Sequence, residues 1–329
     1  MKAPSFWYGH PGLRSNLLSP LGALYGGVGR RRHRRTSPTR VGPKVICVGN
    51  LVAGGTGKTP TAIALAKRTA EMGTLAAFLT RGYGGRLAGP LRVDPSIHTA
   101  QDVGDEPLLL AAYGTVYVAR DRVAGARLAK QDGAELLIMD DGFQNPSLAK
   151  DLSLLVVDAQ SGFGNGRIIP AGPLRERPED GLTRADAIVL MGEEKRDGTL
   201  RERLVATGLP LLKAQLEPNS DARRLRDQTI VAFAGIGRPQ KFFDMLSRLG
   251  ADLVSRYAFP DHHRYDADDI MRLAEMASAA EATLVTTTKD FARLPIEARQ
   301  LVEIVEVQVA WADPQLLDGL LVSLLDTSE

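Results

Sequence analysis

The chain has 329 residues, 44% of them hydrophobic and 24% charged, proportions that argue against disorder, collagen-like repeats and a multi-span membrane protein. Its length suits two domains, and its single cysteine, Cys47, forms no intramolecular disulfide and belongs to no zinc-type spacing, which fits a reducing, cytosolic setting. The formal charge of +2 hides an asymmetry, because residues 1–44 hold nine Lys or Arg and no acid, leaving 32 basic against 39 acidic residues in the remainder.

That basic arm comes first. Leu13, Leu17, Leu21, Leu24 and Val28 recur at helical spacing and share one face, which Phe6, Trp7, Leu18 and Tyr25 enlarge. Ser19 and Pro20 read as an N-cap and a first-turn proline, predicting two short helices rather than one. Neither reaches the roughly 20 apolar residues needed to cross a bilayer. Arg30, Arg31, Arg32, Arg34 and Arg35 follow the apolar stretch, the reverse of a secretory signal. An apolar, aromatic face followed by arginines suits an anionic membrane interface; the alternative is a face that packs on the body.

From Lys44 onward, short β-rich runs alternate with helical patterns, as a parallel α/β sheet requires. Strands are predicted at Val45–Gly49, Leu75–Thr80, Val116–Ala119, Leu136–Asp140, Leu154–Asp158 and Ala187–Met191. Between the first two lies Gly54-Gly55-Thr56-Gly57-Lys58-Thr59, leading into a helix predicted over Thr61–Met72. The N–H groups of such a loop and the helix start bind phosphate, with Lys58 reaching the terminal phosphates and Thr59 a magnesium ion. The full pattern wants a glycine where Val52 stands, but strand, glycine loop and helix are the expected context. Asp140 and Asp141 end an apolar strand, the usual place for an acid that holds magnesium. Together these features make phosphoryl transfer the leading chemistry.

After the polar stretch Glu217–Asp227, Ile230–Ala234 starts a second α/β unit, with helices at Pro239–Leu249 and Asp268–Ala280 and a strand at Thr283–Thr287. The chain thus divides into an interfacial arm (1–43), a nucleotide-binding domain (44–225) and a smaller α/β domain (226–329) that closes a cleft. Thr288-Lys289-Asp290 ends the last strand, either as a nucleotide contact or as a salt-bridged turn.

The ordered set Gly49-Asn50-Leu51, Gly54–Pro60, Arg81-Gly82-Tyr83-Gly84, Gly104-Asp105-Glu106-Pro107, Asp140-Asp141-Gly142-Phe143-Gln144, Pro170–Glu176 and Asp261-His262 resembles the tetraacyldisaccharide 4'-kinase (lipid A 4'-kinase) family over nearly the whole chain. The resemblance implies a P-loop NTPase-like fold, ATP and Mg2+. It also implies transfer of the γ-phosphate to the 4'-hydroxyl of a tetraacylated glucosamine disaccharide 1-phosphate at the cytoplasmic face of an inner membrane. By the same resemblance Asp105 receives the sugar hydroxyl proton with His262 as its partner, and Glu106 joins Thr59 and Asp140 as a magnesium ligand. Asn50, Arg81, Asp141 and Arg175 fall to the substrate. Asn145 stands where the family pattern predicts histidine.

A P-loop switch ATPase or GTPase is the alternative reading, its basic arm binding membrane or nucleic acid. The guanine-reading Asn-Lys-x-Asp stretch it predicts is missing from the sequence. No recognition helix or aromatic stacking motif supports a nucleic-acid partner either.

Overall fold

The computed structural model describes residues 4–194, 198–261 and 263–326. Its strands are β1 (Lys44–Gly49), β2 (Ala76–Thr80), β3 (Leu91–Arg92), β4 (Val116–Val118), β5 (Leu136–Asp140), β6 (Leu152–Asp158), β7 (Ala187–Met191), β8 (Leu211–Pro218), β9 (Thr229–Ala234), β10 (Asp252–Ala258), β11 (Thr283–Thr287), β12 (Glu303–Val305) and β13 (Val307–Trp311). The helices are α1 (Leu13–Arg35), α2 (Lys58–Glu71), α3 (Ala100–Val103), α4 (Asp105–Ala111), α5 (Arg122–Gln131), α6 (Pro178–Leu182), α7 (Thr199–Val205), α8 (Pro239–Leu249), α9 (Ala267–Ala279), α10 (Thr288–Phe291) and α11 (Pro314–Asp326).

The larger sheet has nine strands in the order β13-β8-β7-β6-β1-β5-β2-β4-β3. It is parallel except at its edges, where β3 and β13 run antiparallel to their neighbours. β1 is apolar on both sides because both faces are covered, as parallel sheets require. Ile46 and Val48 pack toward Ala62 and Leu65 of α2 and Leu317 and Leu321 of α11. Val45 and Cys47 pack toward Ala126 and Ala129 of α5 on the opposite face. A four-stranded parallel sheet, β10-β9-β11-β12, forms the smaller unit. Phe242, Phe243 and Leu246 of α8 cover one face, and Ile270 and Leu273 of α9 the other.

Two differences from the sequence reading stand out. The last residues do not stay with the smaller unit: β13 pairs with β8 from Val307↔Pro218 to Trp311↔Ala214, and Leu317, Leu321 and Leu324 of α11 join the larger core. The reason is burial, since the apolar face of α11 completes the layer that α2 leaves open on that side.

The arm also differs, forming one continuous helix with Pro20 inside it instead of two short helices. Its buried residues are Ser15, Gly22 and Gly26. A Cβ on Gly22 would lie 2.7 Å from the Ile168 carbonyl oxygen, and one on Gly26 would lie 2.6 Å from Ile168 Cδ1. Ser15 Oγ donates to Ala171 O at 2.9 Å, and Ser19 Oγ donates to Ser15 O at 2.9 Å. This close seating offsets the hydrogen bond that Pro20 removes. The leucine stripe therefore points away from the body, with Leu13 87% and Leu17 78% exposed. Among the described residues no helix is long and apolar enough to cross a membrane.

Candidate functional site

The site lies at the C-terminal ends of β1 and β5, where ligands of open α/β sheets bind. Between β1 and α2 the loop takes positive φ at Gly54 (119°) and Gly57 (97°), a region that glycine enters without steric penalty. Val52 stands outside this need. It is buried and bridges to Leu174 in extended conformation, so the glycine that the strict motif places there is not required. Asn50 braces the loop from within, its Nδ2 donating to Thr56 Oγ1 at 3.0 Å and to Gly54 O at 3.4 Å. α2 starts at Lys58 rather than Thr61, so its free N–H groups open directly onto the loop.

Thr59 Oγ1 donates to Asp140 Oδ2 at 2.9 Å. Asp140 is buried, and its Oδ1 has no hydrogen-bond partner among the described residues. Burial first, then the nearby Glu106 carboxylate, push the Asp140 carboxyl up to about 7. Asp141 fares otherwise. Burial would raise it too, but Lys58 and Arg175 outweigh that effect and hold it at about 2. Lys58 Nζ lies 3.7 Å from Asp141 Oδ1, while Arg175 Nη1 and Nη2 donate to the two carboxylate oxygens at 2.8 and 3.3 Å. The left-handed φ of 53° at Asp141 turns the chain sharply between these neighbouring acids.

Arg175 is carried by a segment that also holds the loop, since Arg175 N donates to Leu51 O at 2.7 Å and Ala53 N to Pro173 O at 2.8 Å. It does not pair with Glu176, whose carboxylate accepts instead from Arg184 at 2.6 Å and Gln144 at 3.0 Å.

Asp105 and Glu106 open α4 after Gly104, whose φ of 94° makes the turn into the helix. Each acid meets a cation from the smaller unit: Arg293 Nε donates to Asp105 Oδ2 at 2.6 Å and Lys289 Nζ to Glu106 Oε1 at 2.9 Å. Lys289 thus bridges to the larger unit rather than within its own turn. Although burial opposes charge on both members of this pair, Glu106 lies below the usual carboxylate range, held there by Lys289, and the Glu106 carboxylate holds the Lys289 ammonium above its own.

Arg81 is exposed at the end of β2 and pairs with no carboxylate among the described residues, but its charge reaches Arg122. His262 lies outside the described residues. His263, by contrast, meets Asp269 at 2.9 Å and stacks against Phe259 at 4.7 Å, a structural role. Asn145 is also structural, because its Oδ1 accepts from Ser147 N, Ser147 Oγ and Leu148 N at 3.1, 2.9 and 3.3 Å, closing a turn.

The profile of the tetraacyldisaccharide-1-P 4'-kinases matches residues 14–326. The chain belongs to that family. A tetraacyldisaccharide 4'-kinase from Rhodospirillum centenum is 53% identical over 330 residues, covering 99% of this chain and 97% of the relative. Another from Dinoroseobacter shibae is 52% identical over 333 residues, again covering 99% and 97%. LpxK from Aquifex aeolicus, solved as an "apo" form in complex with ATP, has a similar fold with a TM-score of 0.75 and 28% identity, covering 95% of this chain and 99% of that one.

Magnesium fits these residues. Among the described residues no group of three His, Cys, Asp or Glu could hold a metal ion, yet magnesium keeps several waters and takes one or two carboxylates plus phosphate oxygens. The unpartnered Oδ1 of Asp140 beside the Thr59 hydroxyl supplies such a start.

Sequence reading missed Arg122 and Arg293. Arg122 is buried, donates to Ala119 O at 2.5 Å and has no partner for its Nε among the described residues; burial and the Arg81 charge push it down to about 10. Following the helix cap Asp121, it looks like any first-turn residue. Arg293 stands 188 positions from Asp105, and no local pattern carries that pairing.

Proposed function

We propose that this chain transfers the γ-phosphate of ATP to the 4'-hydroxyl of a tetraacylated glucosamine disaccharide 1-phosphate, a step of lipid A biosynthesis. It does so from the cytoplasmic face of the inner membrane, without a nucleic-acid partner. The observation that carries this reading is the set of Lys58, Thr59, Asp140 and Asp141 at the end of β1 and β5 in a chain of this family.

In this reading the backbone N–H groups from Gly54 to Lys58, with Gly55, Thr56 and Gly57 between them, cradle the phosphates of ATP. Thr59 and Asp140, with Glu106 close enough to raise Asp140, would hold magnesium. An ion held there would supply charge neutralisation for the transferring phosphoryl group. Lys58 adds positive charge that counts most in the transition state. Asn50 braces the loop through Nδ2, while its buried Oδ1, without a partner among the described residues, is left to accept a hydrogen bond from the acceptor. Arg81 and Arg175 offer guanidinium groups to acceptor phosphate or sugar, and Asp141 orients Arg175. Asp105 takes the proton of the 4'-hydroxyl, with His262 as its partner on the strength of the family resemblance. The outward leucine face and arginines of α1 meet the bilayer that holds the acyl chains.

The test is phosphate transfer from radiolabelled ATP to detergent-solubilised disaccharide 1-phosphate. Labelled lipid supports the kinase. ATP hydrolysis without labelled lipid would instead favour a switch ATPase.

A further inference from the structure

The two acids that open α4 belong to the larger unit, yet the cations that hold them come from the smaller one. Arg293 is the better placed of these cations. It is 5% exposed at its side chain, so its charge must be satisfied by protein groups. Besides Asp105, its Nη1 reaches Gly235 O at 3.1 Å and Asp290 Oδ1 at 3.3 Å.

Asp290 is itself fully buried and fixed from several sides. Its Oδ1 accepts from Tyr265 OH and Gly235 N, both at 3.0 Å, and its Oδ2 accepts from Thr287 Oγ1 at 2.7 Å. The guanidinium therefore sits between a carboxylate that anchors it and one that it aims. Asp290 offsets the charge of Arg293, so Asp105 gains an orientation without facing a full unbalanced cation.

We propose that Arg293, anchored by Asp290, is a positioning residue for Asp105, so that the smaller unit completes the catalytic site of the larger one. This rests on the reading of Asp105 as the group that receives the acceptor's proton. A positioned base is worth about 10²–10⁴-fold in rate, and by analogy with the groups that orient metal ligands, whose loss costs about 10–100-fold, loss of its orienting partner forfeits a part of that.

The experiment measures kcat and both KM values of the full chain, with the thermal unfolding midpoint as a check on folding. Arg293→Ala is expected to lower kcat by about 10–100-fold while leaving the KM for ATP and for the lipid acceptor within about twofold. Arg293→Lys keeps one charged donor and is expected to fall between the two. In an Asp105→Asn background, Arg293→Ala is expected to add no further loss, because the group it aims is gone. A folded Arg293→Ala protein with wild-type kcat would overturn the inference, as would an undiminished second loss in the Asp105→Asn background. If Arg293→Ala does not fold, wild-type kcat in Arg293→Gln overturns it equally. Wild-type kcat in Asp105→Asn is a separate result: it removes the base reading itself, and the positioning role falls with it.

Discussion

Lys58 and Thr59 are adjacent in sequence but serve different partners, one beside the ionised Asp141 and the other on the buried Asp140. Their loss should therefore differ in kind. Lys58→Ala removes charge that strengthens as the phosphoryl group moves, and kcat is expected to fall about 10²–10³-fold with a smaller change in the KM for ATP. Thr59→Ala should lower kcat and raise the magnesium concentration needed for half-maximal rate, while Thr59→Ser, which keeps the hydroxyl, should restore both. Near wild-type turnover in a folded Lys58→Ala protein would remove this loop from the chemistry. Asn145 makes the opposite case. Its side chain closes a turn through three accepted hydrogen bonds, so Asn145→Ala should cost about 1 kcal/mol of stability and leave kcat unchanged in a steady-state assay. The local motif made Lys58, Thr59 and Asp140 legible, because loop chemistry is written in consecutive residues. Arg122 and Arg293 were not, because burial and long-range pairing leave no periodic mark.

At the scale of elements, α1 shows what spacing can and cannot tell. The four-residue leucine repeat identified an apolar face but not its direction. A second stripe, Ser15, Gly22 and Gly26, lies on the other side and is the one that seats on Ile168 and Ala171. Small residues at helical spacing were the available signal, since they let a backbone approach closely, and they also explain why Pro20 does not split the helix. Replacing Leu17, Leu21 and Leu24 together with serine removes only exposed apolar surface, so the unfolding midpoint should hardly move. Flotation with anionic vesicles should weaken, and the KM for the lipid acceptor should rise more than that for ATP, because only the acceptor resides in the bilayer. Unchanged flotation would mean the exposed face has another use. Gly22→Leu should act from the other side, unseating the helix and lowering the midpoint.

For the molecule as a whole, the two sheets are joined by covalent crossings and by charge. The chain passes from β8 to β9 and returns from β12 to β13. The polar stretch before β9 revealed the first crossing. The return was hidden, because Val307–Trp311 reads as a strand in either sheet and only its register with β8 decides. Across the junction Asp158, at the end of β6, accepts from Arg238 Nη1 at 2.9 Å and from Lys241 Nζ at 2.5 Å, with Ser161 N and Oγ each donating at 2.8 Å. Its side chain is 2% exposed. Burial would raise this carboxyl, but Arg238, Lys241 and Ser161 outweigh it and hold it at about 2, against an ordinary value of 3.8. A depressed folded-state value means stability that is fully present above about pH 4 and is lost as pH falls toward 2. Its upper size is about 2 kcal/mol, and the partial exposure of both cations trims it. Asp158→Asn keeps the shape and removes the charge. Relative to wild type it should lower stability at pH 7, with the gap closing as the pH is brought from about 4 to 2 in denaturant titrations. A gap that stays constant over that range would show that shape and hydrogen bonding, rather than charge, join the two units at Asp158.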